Sequence, residues 1–191
     1  MPSVSKEELD KEHMLVLYAV NKAPDGIPTK THYQKIIYLV LKALKNDPKV
    51  AGYRPHRFGP YSARAECWRD ELIDAEYLIK NSVDRVRINP IVKNDVDRIT
   101  FKDVLTMIKI NEIVEFICSL SYDELLLFIY ADDVQKGEGM SENSDEKDRI
   151  FRSREDLAIR MTRSGKVSVA RGAELADQDV MTFREKIGGK I

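Results

Sequence analysis

Apolar residues recur at helical spacing along most of this chain, and one short stretch alternates instead. A first helix is expected from about Glu7 to Lys22, with Met14, Leu15, Leu17, Tyr18 and Val20 along its second half. Pro24, Asp25-Gly26 and Pro28 then break it. Thr29 or Thr31 can cap a second helix. Tyr33, Ile36, Ile37, Val40, Leu41 and Leu44 form its amphipathic stripe, and Asn46-Asp47-Pro48 ends it. Gly59-Pro60 signals a turn, and Ser62 is a good cap for a third helix reaching Lys80, its face marked by Ala65, Trp68, Leu72, Ala75 and Ile79. Val83, Val86 and Ile88 alternate with Arg85 and Arg87, which predicts a short strand, and a turn at Asn94-Asp95 with a return strand is expected after it.

Thr100 is placed to cap a long helix whose apolar residues include Val104, Leu105, Ile108, Ile113, Phe116, Ile117 and Leu120. Ser121 to Glu124 has capping-box spacing, and the run Leu125 to Tyr130 behind it is apolar all round, as in a buried helix. Between 134 and 148 the composition shifts to glycine and charge, which reads as a flexible linker. Three parts are therefore expected: a domain over 1–133, this linker, and a unit over 149–191. The fold class is mainly α with a small β hairpin (α+β). Helix, edge strand at Gly26–Lys30, two further helices and a wing over Val83–Thr100 is the order of a winged helix. The last unit reads as a helix-turn-helix.

Charge changes the picture only locally. The 191 residues carry 31 Lys and Arg against 32 Asp and Glu, so no global basic signature marks a nucleic-acid protein. The unit over 149–191 holds ten Lys or Arg and six Asp or Glu, a balance of +4 that leaves about −5 for the rest. Cys67 and Cys118 make no disulfide framework and no CxxC pair, which suits a reducing interior. The first residues show no signal-peptide pattern, and no apolar run is long enough to span a bilayer, so a cytoplasmic location without membrane contact is expected.

Candidate chemistry is sparse. His13, His32 and His56 form no metal-ligand spacing, and Cys67 lies near His56 in sequence without a third group to complete a nucleophilic site. No glycine-rich phosphate loop exists. No cofactor, metal or catalytic residue is expected. The densest stretch, Tyr53 to Trp68, holds three arginines, a histidine and four aromatics. Phe58, Tyr61 and Trp68 are expected to anchor the turn into the third helix, with Arg54, Arg57 and Tyr61 as candidates for a protein partner. A winged-helix surface would present Arg57, Arg64, Arg69, Arg85, Arg87 and Lys93 to DNA, against the opposing acids Glu66, Asp70, Glu71 and Asp74.

Two resemblances bear on function. Gln34-Lys35-Ile36-Ile37-Tyr38, Phe58-Gly59-Pro60-Tyr61 and the segment Ser119 to Asp133 resemble the domain of SocA-type (Panacea) antitoxins. Ala158, Gly165, Lys166, Ser168, Ala173, Glu174, Leu175, Ala176, Phe183 and Ile187 fit the pattern of small prokaryotic antitoxin-like helix-turn-helix proteins. Gly172 replaces the first alanine of that pattern's Ala-Ala pair, and Asp177 replaces its turn glycine. From the residues alone, Gly165 can end one helix, Ser168 can cap the next, and Val180, Phe183 and Ile187 are spaced to pack inward. Outward positions Gln178, Thr182, Arg184 and Lys186, with Arg171, could meet bases or phosphates, while Asp179 and Glu185 oppose that.

The expectation is a non-enzymatic, antitoxin-like regulatory protein. Its first domain would bind a protein partner, a toxin by the resemblance. Its helix-turn-helix would bind DNA at its own operator, as a homodimer because short sites need two copies. The alternative is a protein–protein adaptor with no DNA role.

Overall fold

A computed structural model of the chain describes residues 9–101 and 103–188. The described chain is mainly helical with one two-stranded antiparallel sheet. Packing divides it into two units. The first comprises residues up to Arg54 together with Tyr61–Cys118, and the second comprises Pro55–Pro60 with the residues from Ser119 onward.

In the first unit, α1 (Lys11–Lys22) starts where the Asp10 carboxylate accepts the His13 N–H. The expected start at Glu7 lies outside the described residues. Leu15 to Val20 are all buried in α1. α2 (Lys30–Ala43) is capped by Thr29 and buries Tyr33, Ile36, Ile37, Val40 and Leu41, the predicted stripe. Between them Gly26 has φ +80°, and a Cβ there would lie 2.5 Å from the Val86 carbonyl oxygen. Only glycine lets Ile27 exchange both backbone hydrogen bonds with Val86, at 2.9 and 3.1 Å.

α3 (Ala63–Asp74) is shorter than its apolar spacing predicts. Ala65, Trp68, Leu72 and Ala75 are buried as expected, but Glu76 turns left-handed at φ +61° and stops the helix. Ile79, read as the next helical position, lies instead in β1 (Leu78–Lys80), which pairs antiparallel with β2 (Val86–Ile88). The hairpin is thus the segment 78–88, turning at Asp84 with φ +61°. The expected return strand near Asn94-Asp95 is helical. The Asn89 side chain accepts the Ile91 N–H, Pro90 takes the first position of a 3-10 turn, and α4 (Lys93–Val96) comes next.

α5 (Val104–Ser119) is capped by Asp103 rather than Thr100, its carboxylate accepting the N–H groups of Leu105 and Thr106. Its buried residues are Ile110, Val114 and Ile117. Val104, Leu105 and Ile108, read from sequence with the apolar set, are 60%, 64% and 45% exposed.

In the second unit, α6 (Tyr122–Lys136) opens with the predicted capping box and buries Leu125, Leu126, Leu127, Ile129 and Tyr130. The stretch expected to be a linker is structured in large part. Residues 134–136 complete α6, Gly137 closes it at φ +62°, and Met140 and Ser141 are buried. The buried Asp133 carboxylate accepts both the Met140 N–H (2.6 Å) and the Ser141 N–H (3.0 Å), which composition alone does not reveal. α7 (Asp145–Arg152) comes after this fold-back.

α8 (Arg154–Arg163), α9 (Val169–Ala176) and α10 (Val180–Gly188) then pack on one another around Leu157, Ala158, Met161, Ala173, Leu175, Ala176 and Phe183. Ser168 caps α9, and Asp177 takes the left-handed turn between α9 and α10 at φ +59°. Of the inward trio, Phe183 is fully buried, Ile187 is half-buried and Val180 is exposed.

Candidate functional site

The Gln34 side chain builds the start of α3. Its oxygen accepts the Ser62 N–H at 3.0 Å and its nitrogen donates to the Ser62 carbonyl at 2.9 Å. The Ser62 hydroxyl donates to the Ala51 carbonyl and accepts the Ala65 N–H. Tyr53 donates to the Gln34 carbonyl, and Tyr33 donates to the Ala65 carbonyl. All four residues are buried, so the motif glutamine and the serine after the Gly-Pro turn act as one clamp. Lys35, beside Gln34, is also buried, and burial lowers its ammonium to about 7.

Arg54 and Tyr61 pair their backbones across the turn, at 3.0 and 3.1 Å. Arg54 is exposed. The Tyr61 hydroxyl donates to Glu66, whose carboxylate also meets Lys30. The residues at the tip of the turn belong to the second unit. There the exposed Arg57 stacks over Phe58 with 4.5 Å to the ring centroid, and its carbonyl accepts the Tyr130 hydroxyl at 2.6 Å.

The basic candidates on the first unit divide sharply. Arg64 is exposed and lies over Trp68 at 5.7 Å. Both line a cleft of about 430 Å³ with Lys11, Glu12, Lys45 and Asp47. Arg69, by contrast, is buried, bonded to Asp70 at 2.7 Å and stacked over Tyr33. Its guanidinium is thus taken up within the first unit. Arg85 and Arg87 both donate to the Asp25 carbonyl, at 3.1 and 2.9 Å, which ties the hairpin to the turn after α1. Lys93 is held by Asn21 and Asp97.

On the second unit most of the predicted contacts are engaged internally. Arg171 donates to Asp132, Gln135 and Glu174 at 2.8–3.0 Å and covers the Phe128 ring. Gln178 and Lys186 both donate to Glu155. The Thr182 hydroxyl donates to Asp179, whose carboxylate also caps α10 through the Met181 and Thr182 N–H groups. Those bonds hold the exposed Asp179 below the usual carboxylate range. Arg184 is exposed and makes no hydrogen bond or ion pair with a described residue, but Glu185 stands beside it. Asp177, Asp179, Glu174 and Gln178 line a second cleft of about 460 Å³ with Val134 and Phe151.

One part-buried ion pair has no counterpart in the sequence pattern. Lys166, in the turn before α9, donates to Glu124 at 2.7 Å, although Glu124 is legible in sequence only as part of a capping box. Burial opposes the charge, yet Lys166 and the Ser121 N–H hold the Glu124 carboxyl below its ordinary range. No sequence signal joins positions 124 and 166.

Each histidine makes contacts within the chain. His13 contacts Asp10 and Glu71, His32 bonds Thr29 at the start of α2, and the His56 Nδ1 accepts the Phe58 N–H. Cys67 is exposed, and burial pushes the Cys118 thiol up to about 11. Among the described residues no group of three His, Cys, Asp or Glu is placed to hold a metal ion, and no helix is long and apolar enough to cross a membrane. Comparisons with family models, with curated proteins and with solved structures found no significant match to this chain.

Proposed function

We propose that this chain is a non-enzymatic, antitoxin-like regulatory protein whose working contact is with another protein. The observation that carries this reading is the fate of the basic residues. Arg69, Arg85, Arg87, Arg171 and Lys186 donate to carboxylates and carbonyls of the chain itself. A phosphate backbone would have to break those bonds before it could use the charges, and affinity for DNA rests largely on phosphate neutralisation. On the first unit Arg54 remains exposed beside Tyr61, and Arg64 remains exposed over Trp68. On the second unit Arg57 remains exposed over Phe58. Arginine with aromatic neighbours is the composition of a protein-binding hot spot. The resemblance to SocA-type antitoxins makes a toxin the partner to test.

A second reading, DNA binding as a dimer, draws on α9, the Asp177 turn and α10 in helix-turn-helix order, with Arg184 and Thr182 outward on the last helix. A winged-helix assignment of the first unit would draw on the bridge from Ile27 to Val86 beside the β1–β2 hairpin. One titration separates the readings: full-length protein against its own upstream DNA at rising salt. The protein-binding reading predicts weak binding with a shallow slope. Tight binding with a steep slope, lost in Arg184→Ala, would replace it with the DNA reading. Co-expression with the product of the adjacent reading frame is expected to yield a stable complex that Arg57→Glu weakens.

A further inference from the structure

The outward side of α5 is apolar where a solvated helix should be polar. Val104, Leu105 and Ile108 are 60%, 64% and 45% exposed within two turns. They lie away from the buried Ile110, Val114 and Ile117. On the side of Leu105 come Lys109 and Glu112, both exposed, then the half-buried Phe116 at i+4, i+7 and i+11. An exposed cluster of large apolar residues on one helix marks a contact surface.

We infer that this face is where a second copy of the chain docks, α5 against α5 in antiparallel register about a two-fold axis. Charge selects that occupant. Within the chain the Lys109 charge acts only at a distance, helping to hold the Asp103 carboxyl low, and Glu112 makes no salt bridge with a described residue. In an antiparallel pair centred between Ile110 and Asn111, Lys109 of each copy faces Glu112 of the other, and the contact occurs twice by symmetry. The same register sets Leu105 against Phe116. A parallel pair would put Lys109 on Lys109 and Glu112 on Glu112, which repels. One helix pair buries less than the roughly 800 Å² per partner of a standard interface, so the dimer is concentration-dependent. Dimer formation through α5 is independent of whether the protein partner is a toxin and of DNA binding.

The test is sedimentation velocity on the full chain from micromolar to millimolar concentration. The wild type is expected to pass from monomer to dimer with a dissociation constant on the order of 10–100 µM. Lys109→Glu and Glu112→Lys should each raise that constant by about tenfold, because each turns two attractions into two repulsions. The double reversal should restore it. All three changes are at exposed positions, and circular dichroism checks that the fold is kept. Leu105→Glu should abolish the dimer at every concentration reached. A wild type that stays monomeric would overturn the inference. So would a dimer indifferent to these changes, or a double reversal that fails to rescue.

Discussion

Gly172→Ala sets two effects of comparable size against each other. Gly172 is buried in α9, and alanine at this position would raise helix propensity by about 1 kcal/mol. The packing opposes it. An added Cβ would fall inside the radius of Thr162 Oγ1 on α8, and 2.6 and 2.9 Å from two ring carbons of Phe183 on α10. Phe183 is fully buried and has little room to give. Thr162 is held by the bond its hydroxyl donates to the Ala158 carbonyl, at 2.9 Å. Overpacking of this kind costs about 1–3 kcal/mol. Rotating Thr162 away forfeits about 1 kcal/mol of hydrogen bond as well. The sum exceeds the propensity gain, so Gly172→Ala should destabilise the three-helix unit by about 1–3 kcal/mol. Hydrogen exchange of the α8–α10 amides in the full chain reads this without assuming one cooperative transition. Thr162→Ala opens part of the space, so the double variant should lose less than the sum of the singles. Faster exchange that Thr162→Ala partly reverses is the expected result. Slower exchange in Gly172→Ala, or strict additivity, would refute the overpacking.

Buried polar groups supply three further tests. Lys35 has its folded-state value lowered to about 7 from an ordinary 10.5, so between those values the unfolded chain holds more protons than the folded one. Stability should therefore rise with pH across that window, by up to ~1.4 kcal/mol per pH unit, and Lys35→Met should flatten the rise; parallel urea curves for the two proteins at pH 7 and 9 would refute this. Gln34→Ala leaves the buried Ser62 N–H and carbonyl without their side-chain partner. It should cost about 2–4 kcal/mol by urea denaturation, and a loss under about 0.5 kcal/mol would show that the clamp does not hold the fold. The Glu124 carboxyl is held low by Lys166, so its contribution is present above its unfolded value and lost as pH falls through the folded one. Glu124→Gln should weaken the protein at neutral pH by about 1–3 kcal/mol and shrink its acid sensitivity; thermal melts at pH 3–7 that stay a constant distance apart would count against the pair.

Much of the local structure is legible in the residues because its causes are local. The α2 stripe from Tyr33 to Leu41, the Ser121–Glu124 capping box, the Ser168 cap and the left-handed Asp177 each depend on neighbours within one or two helical turns. The buried run Leu125 to Tyr130 is equally plain. Local patterning overruns where a distant partner takes over. The third helix ends at Asp74 because Leu78 to Lys80 pair with Val86 to Ile88, and helical spacing alone cannot show that pairing. Residues 134–148 look like a linker by composition, but Asp133 folds back to hold the N–H groups of Met140 and Ser141.

The site is less legible than the fold. Sequence can say that Arg69, Arg171 and Lys186 are charged; it cannot say that Asp70, Asp132 and Glu155 stand where they take up that charge. Nor does it distinguish the apolar residues α5 buries, Ile110, Val114 and Ile117, from those it exposes, Val104, Leu105 and Ile108. The sequence by itself determined caps, turns and helix faces, because these depend on the order of residues along a few turns of backbone. Which charges are spent inside the molecule and which apolar side is left outward was decided only by tertiary packing, because burial and pairing depend on groups far away in the chain.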